Sequence, residues 1–332
     1  MAKYNYCTLF SSEYAARGLV MIDSINACCS DFCLYVIAFD DIMYHYLKKH
    51  HIPNVVPISM KEFESEEMLR VKKTRTLQEY CWTCEPLSIQ YCLTHFNIPN
   101  CTYLDADLYF YANPNILVDE MGDDDVLLTE HRYTPDVVPY AGRFCVQFLT
   151  IKNTPNGNAI LNWWCDRCIE WCFARHENGQ YGDQVYLDVF PENFTGVHIL
   201  QNLGGGVAPW NMQQYDFYKE NDTYMIRELS TGKTCPVIFF HFHAIFNHYK
   251  GPIVEFSFIN YPNPPHIVAL LLKPYIQKLI RKYRTLPLPN TLNLTAREPI
   301  IWKTFIHRIM RRYKKVDEPY VYILRRLLYR SK

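Results

Sequence analysis

"CTYLDADLYF", Cys101–Phe110, runs apolar and β-prone up to two carboxylates one residue apart, then turns aromatic again. Two solvent-facing acids at a strand end would be the ordinary outcome. On extended backbone, however, residues i and i+2 point to the same side, so Asp105 and Asp107 are expected to face a single ligand. Carboxylates are hard oxygen donors suited to Mn2+ or Mg2+, ions that commonly keep positions open for phosphate oxygens. The pair therefore reads as a metal-diphosphate site at the end of a strand.

The surrounding sequence supplies the sheet for that strand. "YCTLF" reads as a first strand and is followed by a helix from about Glu13 to Ala27, capped by Ser11 or Ser12. "CLYVIAF" reads as a second strand ending at Asp40. "TCEPLSIQYCLTHF" reads as a helix with Thr83 as its N-cap, and "DVLLTE" as a further strand. Strands alternating with helices predict an α/β fold with a mostly parallel sheet flanked by helices. Ligands of such sheets gather beyond the carboxyl ends of the strands, which is where Asp105 and Asp107 fall.

Composition is that of a globular chain: 332 residues, 49% hydrophobic and 20% charged. Its apolar runs fall far short of the roughly 20 residues needed to cross a bilayer. The start lacks the regions of a signal peptide, so a cytoplasmic location is expected. The 13 cysteines sit inside apolar patterns and read as core thiols. In "WWCDRCIEWCFARH", Cys165, Cys168, Cys172 and His176 are expected on one helical face. At about 1.5 Å per residue they would spread over roughly 16 Å, too far for one ion.

The zero net charge hides an asymmetry. Residues 273–332 hold 16 Lys/Arg against 3 Asp/Glu, and the rest of the chain holds 18 against 31. With prolines at 262, 264 and 265, this places a boundary near Pro265: a catalytic domain over 1–265 and a basic amphipathic helical region over 266–332. "IIWKTFIHRIMRRYKK" sets Ile301, Phe305, Ile309 and Met310 on one face, and Trp302, Leu327 and Tyr329 interleave with the basic residues. Such a region is expected to dock on an anionic membrane surface, at the inner face of the cell membrane. No nucleic-acid-binding fold accompanies it, so no nucleic-acid partner is expected.

Further motifs follow in order: "YAGRFCVQFLTIKNT", "GNAILNWWCDRC", "YGDQVYLDVFP", "GGGVAPWN" and "FFHFHA". Together with "YLDADLYF" they resemble glycosyltransferases of the GT-A fold, around glycogenin and the bacterial lipopolysaccharide galactosyl- and glucosyltransferases. The resemblance covers roughly Tyr4 to His248. It implies sugar transfer from a nucleotide-diphosphate donor, a UDP-sugar, to a surface-glycan or lipid-linked acceptor, with retention of configuration. It also implies that Asp107 binds the divalent ion, that Asp105 serves both the ion and the donor, and that His241, or else His243, is a third metal ligand.

In the same resemblance Asp183 orients the donor sugar, Gln184 lies near the anomeric carbon, and Thr8, Phe10 and Ala106 belong to the donor site. Tyr14 and Arg17 follow the first strand at a helix beginning, a place that favours anions. They are candidates for the nucleobase and the diphosphate, and Arg75 is a further diphosphate candidate. Trp210, after Gly204–Gly206, is a candidate platform for the acceptor. Ala244 stands where the family carries Gly, no Lys-Pro-Trp follows, and Val146-Gln147 replace an Asn-x-Gly. An unusual acceptor is expected from the last change. Two other readings are a metal-dependent phosphohydrolase of the Asp-x-Asp type, like those of the haloacid dehalogenase kind, with "MGDDDVLL" imitating their second acidic motif, and a nucleotide-sugar-binding module without activity.

Overall fold

The computed structural model describes residues 2–134, 141–250, 253–258 and 261–288. Its elements in chain order are β1 (Tyr4–Phe10), α1 (Ala15–Cys28), β2 (Phe32–Ala38), α2 (Asp41–His50), β3 (Val55–Ser59), α3 (Met60–Phe63), α4 (Glu66–Lys72) and α5 (Leu77–His95). These are followed by β4 (Asn100–Leu104), β5 (Leu108–Phe110), α6 (Asn115–Glu120), β6 (Val126–Glu130), β7 (Phe144–Lys152), α7 (Pro155–Glu170), α8 (Phe190–Asn193) and β8 (Val197–Ile199). The last group is β9 (Tyr215–Glu220), β10 (Thr223–Glu228), β11 (Thr234–Pro236), β12 (Phe239–His241), β13 (Ile245–Lys250), β14 (Ile253–Phe258), α9 (Pro265–Ile267) and α10 (Lys273–Thr285).

The central sheet has the order β3-β2-β1-β4-β7-β6-β8, and only β7 runs against its neighbours. This is the mostly parallel α/β architecture expected. Its strands read as continuous apolar runs because both faces are covered. With period two, Cys7, Leu9, Tyr35 and Ile37 face a core built with α5 and α7, around Ile89, Cys92, Ile160 and Trp164. Tyr6, Phe10, Leu34 and Val36 face the opposite core, built with α1, α2 and α6 around Leu19, Ile22, Met43 and Leu117.

Several boundaries differ from the sequence reading. Helix α5 begins six residues before Thr83, because Thr76 and Glu79 form a reciprocal capping box. Thr83 instead lies inside the helix and donates to the Glu79 carbonyl at 2.8 Å. Helix α1 begins at Ala15, and neither serine caps it by a side-chain bond; Ser12 N–H and Oγ both donate to Asp40, at 2.7 and 2.8 Å. Helix α7 stops at Glu170, so Cys172 and His176 lie beyond the helix expected to carry them. All 13 cysteines are free thiols, most of them buried.

Chain contacts define two compact units, one of residues 1–245 and 258–292 and one of residues 246–257 and 293–332. In the first, α10 lies within the stretch read as the basic C-terminal region, and it buries Tyr275, Ile276 and Leu279. The described part of the second falls in the two-stranded sheet of β13 and β14. The amphipathic segment 300–315, with Leu327 and Tyr329, lies outside the described residues. Among those described, no helix is long and apolar enough to cross a membrane.

Candidate active site

Strand β4 ends at Leu104, and Asp105-Ala106-Asp107 is a turn, closed by Leu108 N–H donating to the Asp105 carbonyl at 3.3 Å. The two carboxylates thus converge through a turn, and not through the extended backbone expected. The chain then runs back as β5, which pairs antiparallel with β12 and sets Leu108 opposite His241. That register fixes the imidazole beside the acids: His241 Nε2 lies 2.9 Å from Asp107 Oδ1 and 3.6 Å from Asp105 Oδ2. Both its backbone neighbours are tied down as well, with His241 N–H on the Val207 carbonyl at 2.8 Å and Phe242 N–H on the Asp107 carbonyl at 2.9 Å.

Gln147, on β7, sets the imidazole's tautomer. Its Oε1 accepts from His241 Nδ1 at 2.8 Å, which leaves Nε2 toward the carboxylates. Tyr14 donates its hydroxyl to Asp107 Oδ2 at 2.7 Å, and the Arg17 guanidinium lies 4.8 Å from the Tyr14 ring centre. Tyr14 therefore reaches the metal candidates through its oxygen, a contact the sequence reading did not foresee. His243 is exposed, yet it, Asp107 and His241 each bring one ligand atom to within 4.8 Å of the others; Asp105, Cys145 and His241 do the same. The donor set of two carboxylates and an oriented imidazole fits Mn2+ or Mg2+, with hard oxygens dominant.

The electrostatics fit a cation too. Burial, opposed by the His241 charge and aided by Asp107 and Asp183, pushes Asp105 up to about 7. Burial would also raise Asp107, but the charge and hydrogen bond of His241 outweigh it and hold that carboxyl below the usual range. Burial pushes Asp183 up to about 6. Glu85, on α5, is raised well above its ordinary value by burial and then by Asp183 and Asp105. Glu85 is a site residue that the sequence reading missed. Its signal was a lone acid on the apolar face of α5 that also carries Ser88, Ile89 and Cys92.

Asp183 precedes a 3-10 turn over Gln184–Val189 and does not cap it with its side chain. Asp183 Oδ2 and Glu85 Oε2 are both buried with no hydrogen-bond partner among the described residues, as are Gln147 Nε2, Trp210 Nε1 and Thr8 Oγ1. Such atoms cost free energy unless a ligand satisfies them. Gln184 is half-buried at the start of that turn. Trp210 is buried and meets the rings of His241 and His243 edge-on at 5.2 and 5.7 Å, forming a wall behind the imidazoles. Phe10 and Ala106 are buried in the core on the α1 side. Arg75 donates to Thr83 and to the Ile169 carbonyl, which ties it to α5 and the end of α7.

Asp125, in the acidic run "MGDDDVLL", bears on the phosphohydrolase reading. It sits just before β6, which runs parallel to β4, so it lies at the sheet edge opposite Asp105. There it accepts from Thr154 Oγ1 at 2.6 Å and Asn156 Nδ2 at 2.8 Å. The two acidic motifs cannot serve one phosphate.

The glycine run seats β12. A Cβ on Gly204 would lie 2.0 Å from the Pro236 carbonyl oxygen, and the Gly204 carbonyl accepts from Ile238 N–H at 2.9 Å. Gly206 has φ +78°. Gly204→Ala is expected to destabilise the chain by about 1–3 kcal/mol through overpacking against backbone. Thermal denaturation reads this as a lowered Tm, and an unchanged Tm would show that the close approach is not needed. Ala244, where the resembled family carries Gly, has φ +56°, so the left-handed conformation is kept although the residue differs.

No protein-family model matches the chain. It is 31% identical over 250 residues to the uncharacterized protein YfnD of Bacillus subtilis (strain 168), covering 73% of this chain and 78% of that one. With the uncharacterized protein YfnF of the same organism it shares 28% over 247 residues, covering 71% and 80%. Solved structures of similar fold include a galactosyltransferase, LgtC, in complex with donor and acceptor sugar analogs, at 15% identity and TM-score 0.46, covering 83% of this chain and 95% of that one. Mouse xyloside xylosyltransferase 1 follows at 14% and 0.45, covering 79% and 99%. The glycosyltransferase GlyE of Streptococcus pneumoniae TIGR4 gives 17% and 0.44, and the match spans 49% of that chain.

Proposed function

We propose that this chain, which belongs to the family of the Bacillus subtilis protein YfnD, is a metal-dependent glycosyltransferase. In this reading it moves a sugar from a nucleotide-diphosphate donor, a UDP-sugar, to a glycan or lipid-linked acceptor, with retention. The observation that carries the reading is the convergence of Asp105, Asp107 and His241 at the carboxyl edge of a mostly parallel sheet, with Gln147 fixing the imidazole.

Asp105, Asp107 and His241 would hold Mn2+ or Mg2+. A bound ion supplies positive charge against the diphosphate as it departs. Tyr14 holds Asp107 in one orientation through its hydroxyl. Asp183 orients the donor sugar through its unpaired Oδ2, with the Glu85 carboxyl hydrogen-bonded beside it, and Gln184 flanks the anomeric carbon. Trp210 packs edge-on against the His241 imidazole. The basic C-terminal region docks the enzyme on an anionic membrane, where a lipid-linked acceptor resides.

Thermal denaturation with UDP and Mn2+, separately and together, tests donor binding. A ligand at 100 times its Kd stabilises the native state by about 2.7 kcal/mol, which raises Tm by about 4 °C in a chain of this size. The expected result is a rise with UDP and Mn2+ together that exceeds the sum of the separate rises. No rise with any of UDP, GDP, ADP or dTDP in Mn2+ would contradict a nucleotide site.

A further inference from the structure

Tyr275 belongs to α10, in the segment that charge alone assigns to a membrane-docking tail, yet its side chain is 1% exposed. Its ring lies face to face on Phe242 at 3.7 Å and 5°, between the positions of His241 and His243 in the chain. It also meets Tyr109 of β5 edge-on at 6.1 Å. The helix is anchored on α1, where Lys282 Nζ stands 2.5 Å from Asp23 Oδ2, and by the burial of Ile276 and Leu279. The ring is thus held rigidly on Phe242, the residue between the two imidazoles in the chain.

The Tyr275 hydroxyl is buried with no hydrogen-bond partner among the described residues. Burial and then the Asp107 charge raise its pKa, and the Arg17 guanidinium only partly offsets them, so the group is a neutral O–H donor. Tyr14 lies within electrostatic reach of it as well. A buried donor near a guanidinium is matched by an anionic acceptor. A phosphate oxygen has that chemistry, since oxyanions take charge-assisted hydrogen bonds from O–H and guanidinium donors.

We propose that Tyr275 is a donor-binding residue: the C-terminal helix α10 completes the active site by presenting this hydroxyl, together with Arg17, to the diphosphate of the nucleotide donor. This rests on the glycosyltransferase reading above, but it assigns to the 266–288 stretch a place in the donor site. Truncations meant to remove a tail must then end after residue 288.

The test is calorimetric binding of UDP and of UMP in saturating Mn2+ to the full chain and to Tyr275→Phe, which keeps the ring on Phe242. The expected result is about tenfold weaker UDP binding, in the range of a lost hydrogen bond to a charged group, with UMP binding changed less than twofold and Tm unaltered. Equal UDP affinity in the two proteins overturns the proposal, and so does an equal loss for UDP and UMP, which would place the hydroxyl at the nucleoside. Weaker UDP binding accompanied by a fall in Tm also overturns it, marking a structural role. If the unsubstituted chain binds neither UDP nor GDP, ADP or dTDP, the glycosyltransferase reading itself fails.

Discussion

Asp107→Asn is expected to lower Mn2+-dependent turnover of the donor by at least about a hundredfold, because residues that merely orient metal ligands already cost 10–100-fold when removed. Asp107 accepts from Tyr14 at 2.7 Å and stands 2.9 Å from His241 Nε2, so one amide substitution removes the central charge of the set. The amide keeps the shape of the carboxylate and can still accept the Tyr14 hydrogen bond. Tm is therefore expected to stay within about 4 °C. Asp107→Ala should lose turnover equally. Steady-state rates over a Mn2+ titration check this, and near wild-type activity in either variant would remove Asp107 from the metal site.

The second large effect separates two histidines. His241 is buried, has one ring nitrogen fixed on Gln147, and points the other at both carboxylates. His243 also brings a ligand atom within 4.8 Å of Asp107 and His241, but it is exposed. His241→Ala is expected to raise the Mn2+ concentration for half-maximal turnover at least about tenfold, and His243→Ala less than about threefold. The measurement is the Mn2+ dependence of each variant at fixed donor. The opposite ranking would make the exposed imidazole the ligand and His241 its support.

The sequence carried the parts of this site that depend on local pattern. The apolar run ending on Asp105 and Asp107 located the strand edge, and "FFHFHA" located the imidazoles. What it could not carry was the return of β5 onto β12, because pairing between residues 108 and 241 leaves no local periodicity. In the sequence Gln147 reads only as part of Val146-Gln147 in place of an Asn-x-Gly, and its partner, 94 residues away, is fixed only by that pairing. Glu85 was readable as an acid on an apolar helix face. Tyr275 was not, since its charged neighbours mask a helix face that becomes apolar core only once α10 meets α1. Charge counting saw the lysines and arginines of that stretch, and packing used the residues between them.

The most direct measurement is release of nucleoside diphosphate by the full chain from a panel of nucleotide sugars, with Mn2+ and with a chelator, in the presence of mixed glycan and lipid-linked acceptors. The expected result is Mn2+-dependent release from one donor, UDP-linked, with the sugar recovered on an acceptor and with release abolished in Asp107→Asn. Absence of release across the panel, despite nucleotide binding, would leave a binding module. Free phosphate from phosphomonoesters, with no nucleotide released, would contradict the transferase outright.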